Sequence, residues 1–193
     1  MDRILTATMN FLCKNKSMDD DEAEIIRYGL ELLLIKISFS FAILIMSIFI
    51  NSFWECLVFL LLFPLLRSNA GGYHASTRTA CFISSMLSVA AVLTTIKLSI
   101  KFSFISLILV FLSAVSVFLI WKFAPLDTEN KPLDNDEKAI FRRRSRIIMF
   151  IEIIIAALAY CFDFIQIQNA SLLSIILTAG LLTAQPITKK AKE

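Results

Sequence analysis

The chain has 193 residues, 58% of them hydrophobic and only 18% charged, with a mean hydropathy of +0.76. Those values exclude a soluble domain and fit a polytopic membrane protein. A net charge of +3 is too slight to point to a nucleic-acid partner, and its distribution along the chain is more informative than its size.

Residues 1–16 open the chain. Ile4, Leu5, Thr8, Phe11 and Leu12 fall on one side of a helix, with Arg3, Asn10 and Lys14 elsewhere, which predicts a short amphipathic helix lying on the membrane surface. Met1–Glu24 lacks a compact apolar core, so no cleavable signal peptide is expected. Ser17-Met-Asp-Asp20 resembles a capping box that opens a longer helix, acidic in its first turns and apolar from Leu30 to Ile50. About 20 such residues cross a bilayer core. Trp54–Leu66 is apolar apart from Glu55 and carries Pro64 in its last turn; Cys81–Ile96 is the next apolar run. Both are short for ~30 Å of hydrocarbon, so the polar loop 67–80 between them is expected to dip into the membrane edge, sheltered by protein.

Phe102–Phe123 is a full-length span. A polar connector with Pro125 and Pro132 follows and ends in Arg142-Arg143-Arg144-Ser-Arg146, so 124–146 reads as one cytoplasmic connector. Ile147–Phe162 and Ser171–Ala184 are the last apolar runs, and Lys189, Lys190 and Lys192 close the chain. The prediction is an all-α integral membrane protein: one polytopic domain over 1–193, about six transmembrane helices plus the interfacial helix, and both termini cytoplasmic. Alternation then places loop 67–80 on the cytoplasmic side, with every strongly basic patch on that side.

That loop holds His74, the only histidine, with Cys81 seven residues further on. A cysteine peptidase needs a thiolate and an imidazole that can hold and then deliver a proton. On one continuous helix the two would sit ~10.5 Å apart along the axis, well beyond the ~3 Å of a proton transfer. The chain must therefore turn back between them, or a neighbouring element must complete the pair. Gly71-Gly72 supplies a backbone free to turn before His74, and Cys81 would open the next helix, whose N-terminal dipole favours a thiolate. Cys13, Cys56 and Cys161 read as small buried or interfacial residues. Four cysteines without metal spacing and one histidine leave no donor set for a metal, and no cofactor is expected. Three intramembrane charges stand out. Lys36 is placed to snorkel and Glu31 to sit at headgroup level. Glu152 is an ionisable group at a depth that marks a functional candidate, with Lys36 or Arg67 as possible partners.

The string Arg67-x4-Gly72-x-His74-x6-Cys81, with Ala124-Pro-Leu-Asp127-Thr-Glu-Asn-Lys-Pro132 after the fourth span, closely resembles the accessory gene regulator B (AgrB) family of bacterial membrane peptidases. Tyr28-Gly29-Leu30-Glu31 before the first span also resembles that family, and the likeness covers essentially the whole chain. It implies Cys81 as nucleophile and His74 as general base and acid, with Arg67 and Gly72 as further motif positions. Arg67 is either a carboxylate holder or a snorkelling interfacial arginine. Asn69, Ser76, Asp127 and Glu129 are candidates to orient the imidazole, and spacing selects none of them.

The resemblance further implies a propeptide partner of AgrD type, cleaved before its acidic tail and cyclised to a thiolactone or lactone for quorum sensing. It also implies a homodimer among membrane lipids. Arg142–Arg146 is either a dock for the acidic tail or a topological and lipid-binding signal. The rival reading is a non-enzymatic exporter of a signalling peptide, against which no inverted repeat of broken helices is visible.

Overall fold

The computed structural model describes residues 20–72, 78–126 and 134–190. The interfacial helix expected over 1–16 lies outside them, as do Ser17 to Asp19 of the expected capping box. Six helices are described: α1 (Asp20–Phe49), α2 (Phe53–Ala70), α3 (Arg78–Lys101), α4 (Ser103–Phe123), α5 (Asn135–Cys161) and α6 (Ile165–Lys190). Four contain a stretch long and apolar enough to cross a membrane: Phe53–Ala70, Phe82–Lys101, Ser103–Phe123 and Ile165–Ala184. These mark an integral membrane protein. In α1 the corresponding apolar stretch is the shorter Ile37–Phe49.

Met1–Met46 and Ser47–Glu193 form two compact units. The described part of the first is the body of α1. The second is a bundle arranged around α6, which packs against α2, α3, α4 and α5. Over its apolar stretch α6 is 56% buried, against 22–28% for the stretches of α2, α3 and α4. This difference identifies α6 as the centre and the other three as the lipid-facing wall. The outward side chains agree: Leu61, Leu65, Leu87, Phe104, Leu107, Phe111 and Phe118 are all exposed.

In lipid the hydrophobic effect does not hold one helix to another; close packing and interhelical hydrogen bonds do. α6 supplies both. Ala170, Ser171, Ser174, Thr178 and Ala179 are small and buried, which lets neighbouring backbones approach. The buried Asn169 donates from Nδ2 to Ser99 Oγ of α3 at 2.7 Å and to Ser106 Oγ of α4 at 3.0 Å. Such bonds are worth about 0.6 kcal/mol each in membrane proteins. A second cluster holds the other end of the bundle: Leu66 and Ala70 of α2, Ile120 and Ala124 at the end of α4, Met149 of α5, and Ile175, Ala179 and Leu182 of α6.

The two runs that look too short in the sequence belong to longer helices. α2 continues past Pro64 to Ala70, and in its polar last turn Ser68 Oγ and Asn69 Nδ2 both donate to the Leu65 carbonyl, at 3.1 and 2.8 Å. α3 runs on through Thr94, Thr95 and Ser99, whose hydroxyls donate to Ala90, Ala91 and Ile96 carbonyls. The missing span length that motivated a dipping loop is therefore present in the helices. Only 71–77 separate α2 from α3, so Arg67–Ala70 and Arg78–Ala80 of the expected loop are helical.

Likewise α5 begins at Asn135, capped by Asp134 with Glu137 bonding back to the Asp134 N–H, so 135–146 of the expected connector is helix. Tight turns join α1 to α2 and α5 to α6. Asn51 (φ 52) and Asp163 (φ 60) take left-handed conformations there, as their side-chain type permits.

Candidate active site

The described residues nearest the His/Cys motif are its two flanks. Arg67 sits in the last turn of α2 with its guanidinium 5.8 Å from the Phe63 ring centroid, and its carbonyl accepts the Gly71 N–H at 3.0 Å. Gly71 and Gly72 then turn the chain with φ of 79 and 123, a region that L side chains rarely enter. Neither accepts a side chain without a shift of its surroundings. A Cβ on Gly71 would fall 2.6 Å from the Leu126 carbonyl oxygen, and one on Gly72 3.2 Å from the Leu181 carbonyl.

The contact with Leu126 is the main finding. Gly71 and Leu126 form an isolated parallel bridge, with the Leu126 N–H donating to the Ala70 carbonyl at 3.1 Å. Two segments far apart in the chain, Gly71-Gly72 and Ala124-Pro125-Leu126, are thus hydrogen-bonded together and backed by α6 at Leu181–Leu182. Both belong to the strings singled out in the sequence. The Ala124–Pro125 peptide is cis.

From this stem the chain re-enters helix at Arg78, so the backbone of Cys81 lies in the first turn of α3. The Cys81 side chain lies outside the described set, as do His74, Ser76, Asp127 and Glu129. Asn69, the remaining candidate to orient an imidazole, turns its amide donor onto its own helix, to Leu65 and to Ser68 Oγ at 3.3 Å. Cys56 is buried in α2 and Cys161 is exposed at the end of α5; both are free thiols.

The arginine cluster divides. Arg142, Arg143 and Arg144 are exposed, whereas Arg146 is engaged with α4. Its guanidinium stacks 3.9 Å from the Trp121 ring centroid and donates to the Trp121 carbonyl at 3.2 Å, and Trp121 meets Phe150 edge-on. A partly exposed contact of this type contributes about 0.5–1 kcal/mol. Arg146 is therefore a clamp between α4 and α5, and nothing in the sequence beyond the aromatic Trp121 signals it.

A cavity of about 1370 Å³ occupies the opposite end of the bundle, lined by the turns α1–α2, α3–α4 and α5–α6, with Glu55, Asp163, Trp54 and Tyr160 among its walls. It is remote from the glycine turn. Among the described residues no group of three His, Cys, Asp or Glu side chains converges to hold a metal.

An all-helical bundle with several membrane-length helices, and a glycine turn tied to a distant Pro segment, defines a multi-pass membrane protein with its motif at one end of the helices. Comparison with known proteins gives the family. The model of accessory gene regulator B matches residues 6–184, and the chain belongs to that family, whose members are peptidases that process AgrD propeptides in quorum sensing. The chain is 28% identical over 168 residues to a putative AgrB-like protein of Clostridium perfringens (strain SM101 / Type A), covering 82% of this chain and 78% of that one. It is 28% identical over 151 residues to putative AgrB-like protein 2 of C. perfringens (strain 13 / Type A), covering 74% and 71%. A putative AgrB-like protein of C. acetobutylicum is 29% identical over 136 residues, covering 69% and 62%. No solved structure matches.

Proposed function

We propose that this chain is a membrane-embedded cysteine endopeptidase that releases the C-terminal tail of an AgrD-like propeptide and closes the remaining core into a thiolactone or lactone. Cys81 attacks the carbonyl at the junction of core and tail, and His74 takes the thiol proton and delivers it to the departing amine. The acyl-enzyme thioester is then attacked by a thiol or hydroxyl within the substrate, which forms the ring and regenerates the Cys81 thiol. Exclusion of water from the thioester decides between cyclisation and hydrolysis. Six spans, cytoplasmic termini, a site on the cytoplasmic side of the cell membrane and a homodimer complete the reading.

The observation that carries it is the bridge between Gly71 and Leu126. It supports a built turn immediately before His74, with Cys81 on the helix that follows. A dyad seven residues apart in sequence requires the chain to turn back between its members, and a fixed turn just before His74 supports that return.

Intact mass spectrometry of the purified protein with a synthetic propeptide tests the reading. A propeptide whose internal nucleophile has been replaced leaves a covalent adduct on Cys81 of the mass of the core without its tail. Tail release absent, with propeptide binding intact, would return the chain to the exporter reading.

The tail itself need not dock on the arginine cluster. Arg142, Arg143 and Arg144 are exposed as a positive-inside signal requires, and Arg146 is already bound to Trp121. Replacing Arg142 and Arg143 together by Gln, with membrane orientation verified, is expected to change kcat/KM by less than about threefold, as surface charges usually do. A rise in KM of tenfold or more, confined to substrates with acidic tails, would instead establish tail docking.

A further inference from the structure

Glu152 is fully buried in α5, and neither of its carboxylate oxygens has a hydrogen-bond partner among the described residues. A buried carboxylate left alone costs several kcal/mol, so it is either neutralised by a proton or compensated by a cation. The helices packed against α5 are α2, α4 and α6. Their charged residues before Ala184 are Glu55, Arg67 and Lys122, and α6 contributes none. Glu55 lies in the first turn of α2, at the far end of the bundle, and Lys122 is exposed, over the Phe123 ring at 5.3 Å. Arg67 is over Phe63, and Glu152 forms no ion pair with it among the described residues.

Two buried hydroxyls of α6 depart from helical habit. A helical Ser or Thr ordinarily donates to a carbonyl of the preceding turn. Ser171 does so to Ile167 at 3.1 Å, and Thr183 to Ala179 at 3.1 Å. Ser174 and Thr178 do not. Both are fully buried, both hydroxyls are unpartnered, and they lie one helical turn apart on one stripe of α6. The Ser174 hydroxyl lies beside the Glu152 carboxylate without meeting hydrogen-bond geometry.

Glu152 and Ser174 therefore bring three unpartnered oxygens together between α5 and α6, and the unpartnered Thr178 hydroxyl follows one turn along the same stripe of α6. In a hydrogen-bonded group they would close to about 2.7–2.8 Å, whereas oxygens around a hard cation at ~2.4 Å stand more than about 3 Å from one another. The donor set is all oxygen with a single negative charge, which suits a hard monovalent ion. We propose that Glu152, Ser174 and Thr178 form a buried sodium site that neutralises the carboxylate and joins α5 to α6. This site is separate from the His74/Cys81 chemistry and does not depend on it.

Equilibrium binding of 22Na⁺ to the full-length protein in detergent, at fixed ionic strength with choline chloride, tests this. The wild type is expected to show one saturable component per chain, displaced by unlabelled sodium and not by choline. Glu152→Gln is expected to abolish it, and to make thermal stability independent of sodium. Ser174→Ala, a smaller change that preserves packing, is expected to weaken binding about tenfold, the equivalent of one lost ligand worth 1.4 kcal/mol. A wild type that binds no sodium saturably overturns the proposal, and so does Glu152→Gln binding that matches the wild type. A thermal stability that responds to pH through Glu152 but not to sodium assigns the carboxylate to a proton and likewise overturns it.

Discussion

Cys81→Ala is expected to abolish tail release from the propeptide, by at least about 10⁴-fold, because removing the nucleophile removes the covalent route altogether. His74→Ala should fall to a similar floor, and the double variant no lower, since nucleophile and base act as one unit. Neither change should alter the melting temperature of the protein in detergent by more than a few degrees. Rates are read by chromatography of the released tail, with propeptide binding measured separately. If Cys81→Ala retained a tenth of the activity, the thiol would not be the nucleophile. If His74→Ala alone remained active, the proton would travel by another group.

Gly71→Ala should be the most damaging change outside that pair. A Cβ there meets the backbone oxygen of Leu126 at 2.6 Å, and backbone cannot rotate away as a flexible side-chain tip can. The positive φ adds about 1–3 kcal/mol of strain for any L residue. Opening the bridge releases the turn before His74, so activity is expected to fall by at least about tenfold for each 1.4 kcal/mol by which the turn is destabilised. Gly72→Ala should follow more mildly, since its contact with the Leu181 carbonyl is 3.2 Å and requires only a small shift.

Gly29→Ala and Gly180→Ala are the controls. Both glycines are helical with open space around them, and alanine there should be neutral or stabilising by up to about 1 kcal/mol. The comparison is made on melting temperature and cleavage rate together. Equal tolerance at Gly71 and Gly180 would show that the turn has no part in the activity.

Much of the bundle could be read from apolar runs, and the departures share one cause. Hydropathy assumes that a helix residue faces lipid. α4 does face lipid, and its observed start, Ser103, falls one residue from the expected Phe102. α6 faces protein, so Gln168 and Asn169 look like a polar connector although both are buried inside the helix. α2 passes Pro64 and ends on Ser68 and Asn69, whose side chains fold back onto the Leu65 carbonyl, a local bond that no hydropathy window registers.

The candidate site divides in the same way. Gly71-Gly72 is legible as a turn, and Cys81 as a residue near a helix start. The closure of Leu126 onto Gly71 joins segments distant in the chain, and a single sequence carries no record of that pairing. Glu152 could be picked out as a buried charge, whereas its neighbour Ser174 is an ordinary residue until α6 is placed against α5.

The central position of α6 has a consequence for how the protein is made. Ribosomes deliver the chain from the N-terminus, at about 5–20 residues per second. α2, α3, α4 and α5 therefore enter the bilayer seconds before the helix they share as a partner. During that interval Ser99, Ser106 and Glu152 lack the groups of α6 that face them in the finished bundle. Assembly of this bundle is completed by its last described helix, so the insertion machinery must hold partly polar spans that cannot yet pair. A ribosome stalled before Ile165 would expose four helices to quality-control proteases with none of their central contacts made.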